Sequence, residues 1–218
     1  MPGDLRDADY PADPYPGARP SCSFLHREGG RAHHLQPAGP GQWRVGDETL
    51  NDWLRQHGVP GVGARMPVLA YGSNACPSKI TWLREELGLT GPVPVLRCRT
   101  VGVSAVWCAG VRARDGQVPA VLVAAPGRQE THAVWLASAE QLAVLDICEG
   151  RGERYDLVHL EGDAEVRTED GTVLDRPLAY TACGRIRAPM VHDGRFVSLT
   201  EVDQAGARRL LDQGTHRP

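Results

Sequence analysis

Lysine is almost missing from this chain: Lys79 is the only one in 218 residues, and the other basic side chains are arginine. The net charge is −3, so there is no basic excess to neutralise phosphates, and neither nucleic acid nor an anionic membrane is expected as a partner. No apolar run is long enough to span a bilayer. The opening residues MPGDLRDAD lack the basic-then-apolar order of a secretory signal. The six cysteines, at 22, 76, 98, 108, 148 and 183, show no C-x-x-C spacing and no paired metal pattern. Reduced thiols in a cytoplasmic protein are the simplest reading. There is no internal repeat and no β-α alternation strong enough for a doubly wound sheet. The length suffices for one good core.

What is present is organised around Met66 to Ser78, MPVLAYGSNACPS. Val68 to Ala70 reads as a short buried strand. Gly72 is expected to turn the chain through a positive φ. Pro77 suits the first turn of a helix, Ile80, Leu83 and Leu87 recur at helical spacing, and Gly88 ends it. In this strand, polar loop and helix, backbone N–H groups and the helix N-terminus face one small space that favours an anion or a developing oxyanion. A phosphate loop is the weakest of the competing readings, because the G-x-x-x-x-G-K-[ST] spacing and its Lys-Ser/Thr pair are missing. A structural turn capped by Asn or Ser is the plain alternative.

Along the rest of the chain, residues 1–20 read as a mobile or surface-hugging tail, rich in Pro, Asp and Tyr. A hairpin over 21–35 turns at Gly29-Gly30, and its histidines (His26, His33, His34) read as exposed strand residues rather than a metal site. A short helix is expected over 47–57, with Leu50, Trp53 and Leu54 inward. Residues 93–107 read as long or bent strand with a kink at Gly102. Strands are expected over 118–125, ended by Pro126-Gly127, and over 131–136. Ser138-Ala-Glu-Gln141 is a capping box that opens a helix ending at Gly150. Tyr155 to Leu160 reads as strand. Asp170-Gly171 is a hairpin signal between strands 164–168 and 172–182. A final helix is expected over 200–211. Short strands around a few helices make this an α+β chain with a mixed or closed sheet.

Tyr71-Gly72-Ser73-Asn74 directly after a core strand resembles the start of the γ-glutamylcyclotransferase-like (AIG2-like) family. Residues 118–135, with their Pro-Gly corner, are similar to that family's central strand pair. Leu145-Asp-Ile-Cys-Glu149-Gly150, followed by Tyr155, looks like its L-D-x-x-E-G…Y stretch, and Tyr180 falls where it places a strand tyrosine. The resemblance spans 66–183. It implies a γ-glutamylcyclotransferase-like mixed β-barrel with a few packed helices over 61–218, preceded by an N-terminal extension over 1–60, partly ordered and packing on the core. It implies a small-molecule γ-glutamyl substrate whose α-amine attacks its own γ-carbonyl, releasing 5-oxoproline and an amine or amino acid. Glu149 is then the catalytic acid/base, and Tyr71, Gly72, Ser73, Asn74, Tyr155 and Tyr180 bind substrate. Such a reaction needs no cofactor and no metal. Placement at a helix C-terminus is expected to raise the pKa of Glu149. The departures are Ala75, where the family often has a bulky apolar residue, and a segment after Tyr180 with no further tyrosine. The leaving amine therefore stays open, as does oligomeric state. Two alternatives remain beside the enzyme: a non-catalytic binding module of the same fold, which a collapsed cavity or an averted Glu149 would favour, and a thiol hydrolase using Cys148 with His132 or His159.

Overall fold

The computed structural model describes residues 4–214. Its main strands are β1 (Phe24–Arg27), β2 (Arg31–Gly39), β3 (Gln42–Val45), β4 (Met66–Ala70), β5 (Val93–Trp107), β6 (Ala120–Ala137), β7 (Tyr155–His159), β8 (Glu165–Thr168) and β9 (Leu178–Ala182). The helices are α1 (Leu50–Gln56), α2 (Pro77–Leu87), α3 (Ala139–Glu149) and α4 (Gln204–Asp212). With the two-residue strands Leu5–Arg6 and Glu48–Thr49, the main strands form one eleven-stranded sheet running β3-β2-β1-β5-β6-β4-β9-β7. β8 joins the free part of β5's outer edge. β4 and β9 are parallel and the other pairs are antiparallel, so the sheet is mixed and the class α+β. The expected barrel is not closed: among the described residues the pairing path has two ends.

The apolar run in β4 is continuous because both faces of that strand are covered. Val68 and Ala70 enter one core cluster with Ile80 and Leu83 of α2 and Leu145 of α3. Leu69 enters another with Leu25, Leu35, Trp53 and Leu54. β6 alternates in the same way, with Trp135 on the α2–α3 side and Val134 and Leu136 on the other. Strict alternation between two apolar layers is what a sheet with both faces buried requires.

Local signals set several boundaries. Gly88 closes α2 in the left-handed region at φ 70, and Gly150 closes α3 at φ 65. The capping box at α3 forms: Ser138 accepts from the Gln141 N–H, and the Gln141 side chain accepts from the Ser138 N–H. Gln141 also donates to the carbonyls of Thr90 and Pro92, and Arg65 reaches the same side chain, so the start of α3 is tied to the sheet.

Four expectations are corrected. β6 does not stop at Pro126-Gly127: Gly102 pairs with Ala125 and Val101 with Gln129, so residues 126–128 bulge out and the strand continues. The bulge removes the proline from the ladder, where it could not have donated. The turn at Asp170-Gly171 forms, but residues 178–182 leave β8 and pair with β7 and β4 instead. His26 is not exposed: it is fully buried, contacting Asp7, Thr81 and Arg84, and burial beside the Arg84 charge holds its pKa at about 4. His33 and His34 are part-buried. The N-terminal segment is also more than a tail, because Tyr15 is buried in the core.

The bulge is locked by Glu130. Its buried carboxylate accepts from Ser104 Oγ at 2.6 Å, the Ala105 N–H at 2.9 Å and His132 Nε2 at 3.0 Å. Burial pushes its pKa up, but the bonds from His132, Ser104 and Ala105 outweigh burial and hold it at about 2. A depressed folded pKa stabilises above the unfolded value of 4.5 and is lost as pH falls toward 2. Glu130→Gln should therefore cost about 2 kcal/mol at pH 7, the scale of a bond to a charged group. The gap between variant and wild type in urea melts should narrow between pH 4.5 and 2.

Candidate functional site

β4, the turn after it, and the end of α3 converge on a cavity of about 550 Å³. The loop from Tyr71 to Asn74 lines one side and Cys148 and Glu149 another. The loop is clamped from behind, where Trp135 Nε1 donates to the Asn74 carbonyl at 2.7 Å. In front, Asn74 Nδ2 donates to Glu149 Oε1 at 2.8 Å. Asn74 Oδ1 is buried with no hydrogen-bond partner among the described residues. Glu149 is part-exposed, and its pKa is raised. Burial is the largest cause; Asn74, Lys79, Arg154 and Arg112 pull the other way. The helix end is a weaker lever than the sequence implied, because Arg154 covers it by donating to the carbonyls of Glu149 and Cys148 at 3.1 and 3.0 Å.

Gly72 is needed for a different reason from the one expected. Its φ is −100, not positive. A Cβ there would lie 2.6 Å from the Tyr15 hydroxyl, so the glycine makes room for a side chain 57 positions earlier in the chain. The Tyr15 hydroxyl accepts the Ala120 N–H at 3.1 Å, and the Tyr155 hydroxyl donates to the Ala120 carbonyl at 2.8 Å. Arg19 donates to the Tyr71 carbonyl at 2.9 Å.

All seven residues singled out from the sequence line this cavity: Tyr71, Gly72, Ser73, Asn74, Glu149, Tyr155 and Tyr180. The tyrosine hydroxyls are already engaged by the protein. Tyr71 donates to the Tyr180 carbonyl and Tyr180 to Asp146 Oδ1, each at 2.7 Å. Burial pushes the Tyr71, Tyr155 and Tyr180 hydroxyls well above their ordinary range. They are neutral walls of the site. Asp146, which also pairs with Arg151 at 3.0 Å, faces Tyr180.

Tyr15, Lys79, Arg112, Arg114 and Arg187 also line the cavity, and sequence reasoning did not single them out. With Arg154 they set five cations against the carboxylates Glu149 and Glu153. Arg112 stacks over Tyr15 at 4.6 Å. The thiol chemistry finds neither of its expected histidines here. His132 is bonded to Glu130, and His159 Nδ1 contacts the Arg176 carbonyl at 2.6 Å; neither lines the cavity. Burial and the Glu149 charge push the Cys148 thiol up. Among the described residues no group of three or more His, Cys, Asp or Glu is placed to hold a metal ion, and no helix is long and apolar enough to cross a membrane.

A carboxyl with a raised folded pKa stabilises the fold below its unfolded pKa, and that contribution is lost as pH rises through the folded value. Glu149→Gln keeps the acceptor for Asn74 and removes the charge. It should raise Tm by a degree or more at pH 7.5, with the gain shrinking toward pH 4, as calorimetry across pH would read.

No protein-family model and no curated protein matches the chain. Among solved structures it is similar to an uncharacterized human protein, at 18% identity and a TM-score of 0.46, over 58% of this chain and 71% of that one. It is similar to a gamma-glutamyl cyclotransferase at 19% identity and 0.45, over 57% and 70%. An Arabidopsis thaliana protein solved in solution is similar at 16% identity and 0.43, over 69% and 88%.

Proposed function

We propose that the chain is a γ-glutamylcyclotransferase-like enzyme that cleaves a γ-glutamyl amide by intramolecular attack of the α-amine. The new bond joins the α-nitrogen to the γ-carbonyl carbon. The old amide C–N bond breaks, and 5-oxoproline and an amine leave. The observation that carries this reading is the Glu149 carboxylate, held by Asn74 at 2.8 Å inside the cavity with its pKa raised. A carboxylate whose pKa lies above the ordinary range is a better proton acceptor for the substrate ammonium. Once protonated, it can return that proton to the departing nitrogen. Attack within one molecule leaves orientation as the main task, and rigid tyrosine walls suit it. The backbone of Gly72 to Asn74 borders the same space, where N–H groups would stabilise the tetrahedral oxyanion. The excess of cations favours a substrate that carries carboxylate.

The test is release of 5-oxoproline from γ-glutamyl amino acids, γ-glutamylamines and glutathione. Glu149→Gln should lose about 100-fold or more in kcat/KM. Product from no substrate, or a Glu149→Gln variant within about threefold of wild type, contradicts the reading. Asn74→Ala supplies a directional check. The Asn74 donor lowers the Glu149 pKa, so removing it should move the acid limb of kcat/KM to higher pH.

A further inference from the structure

We infer that Lys79, the chain's only lysine, is the anion anchor of this cavity, its ammonium taking a carboxylate of the bound ligand where the protein offers it only a thiol and an aromatic ring. The residue lies in the first turn of α2, lines the cavity and is 6% exposed. Among the described residues no oxygen or nitrogen accepts from its Nζ, and the Cys148 thiol is the hydrogen-bonding neighbour it has. The ammonium sits over the Trp82 ring, 3.4 Å from the centroid, and Arg114 covers the same ring at 5.0 Å. Its electrostatic neighbours are the Cys148 thiol, Arg114 and Glu149. Glu149 accepts its hydrogen bond from Asn74 rather than from Lys79.

Buried ammonium groups are costly unless paired. An aromatic face offsets part of that cost, but the second cation on the same ring adds to it. Arg187 repeats the pattern: it is 8% exposed, lines the same cavity, and its Nε lacks a partner. Two buried cations with unspent donors facing one cavity define a receptor for an oxyanion. A compact, flexible ammonium suits a carboxylate whose position varies between ligands. Where the cations of a structural site would be paired within the protein, these are left for the ligand.

The anchor rests on the cyclotransferase reading for which carboxylate it takes, not for whether it takes one. Isotope-labelled lysine gives the wild-type protein a single-residue NMR spectrum that needs no assignment. Glutarate should shift the Lys79 Cε resonance saturably and raise its titration midpoint; the neutral glutaramide should do neither. Where turnover is measurable, Lys79→Met should raise KM by about tenfold or more with kcat within about threefold, and Lys79→Arg should recover part of the loss. The same KM rise on γ-glutamyl-alanine and γ-glutamyl-ethylamine assigns the substrate α-carboxylate. A rise on γ-glutamyl-alanine alone assigns the leaving group's carboxylate. The Tm of Lys79→Met should not fall, whereas a structural lysine would lower it. A Lys79 resonance blind to glutarate, or KM within about twofold of wild type on both substrates, overturns the anchor. Absence of turnover alone contradicts the enzyme reading and leaves the NMR titration to decide this one.

Discussion

The hydrogen bond from Asn74 Nδ2 to Glu149 Oε1 joins two parts of the fold that meet nowhere else in sequence. One end belongs to the turn after a strand buried on both faces, and the other to the last residue of a helix. Much of the architecture serves to bring these ends together. Trp135 holds the carbonyl of Asn74 from the sheet side. The capping box and Arg65 fix the start of α3, while Arg154 covers its end. With both termini of α3 pinned, the Glu149 carboxylate has little freedom to seek water, and burial rather than geometry alone sets its proton affinity.

The site is organised against its own stability. A carboxyl with raised pKa, a lysine held only by a thiol and a ring, and an arginine with a spare donor are each unfavourable for the fold. Elsewhere the same chain satisfies a buried carboxylate within the protein: Glu130 accepts from Ser104, Ala105, His132, Arg128 and Ser198, and its pKa is held at about 2. The contrast is between a glutamate satisfied within a strand and one held at a helix end beside the cavity, the residue to which the proposed function gives the proton transfer. On the proposed reading, ligand binding would return free energy here, since the groups left unpaired would gain partners in the complex.

Much of this was legible in the sequence because the signals are local. Pro77 and Gly88 bracket α2, Ser138 and Gln141 open α3, and Gly150 closes it through residue chemistry that needs no distant partner. Tyr71, Asn74, Glu149, Tyr155 and Tyr180 could be brought to one site only by the resemblance, since periodicity says nothing of which loop meets which helix end. The misses are long-range. Tyr15 lies in a Pro- and Asp-rich stretch that reads as tail, yet its hydroxyl is bonded to residue Ala120. That same contact explains Gly72, which is required by close approach rather than by turn geometry. β6 runs on through Pro126 because a three-residue bulge, invisible to pattern, takes the proline out of the ladder. Lys79 stands out in the sequence only as the single lysine, and its burial beside the cavity is what the structure adds.

The central claim is that the γ-carbonyl is attacked by the substrate's own amine at Glu149 and not by water. Turnover of a γ-glutamyl amide in ¹⁸O-labelled water, followed by mass spectrometry, tests it directly. The account predicts 5-oxoproline free of solvent oxygen. Glutamate carrying ¹⁸O in its γ-carboxylate would show hydrolysis and contradict it.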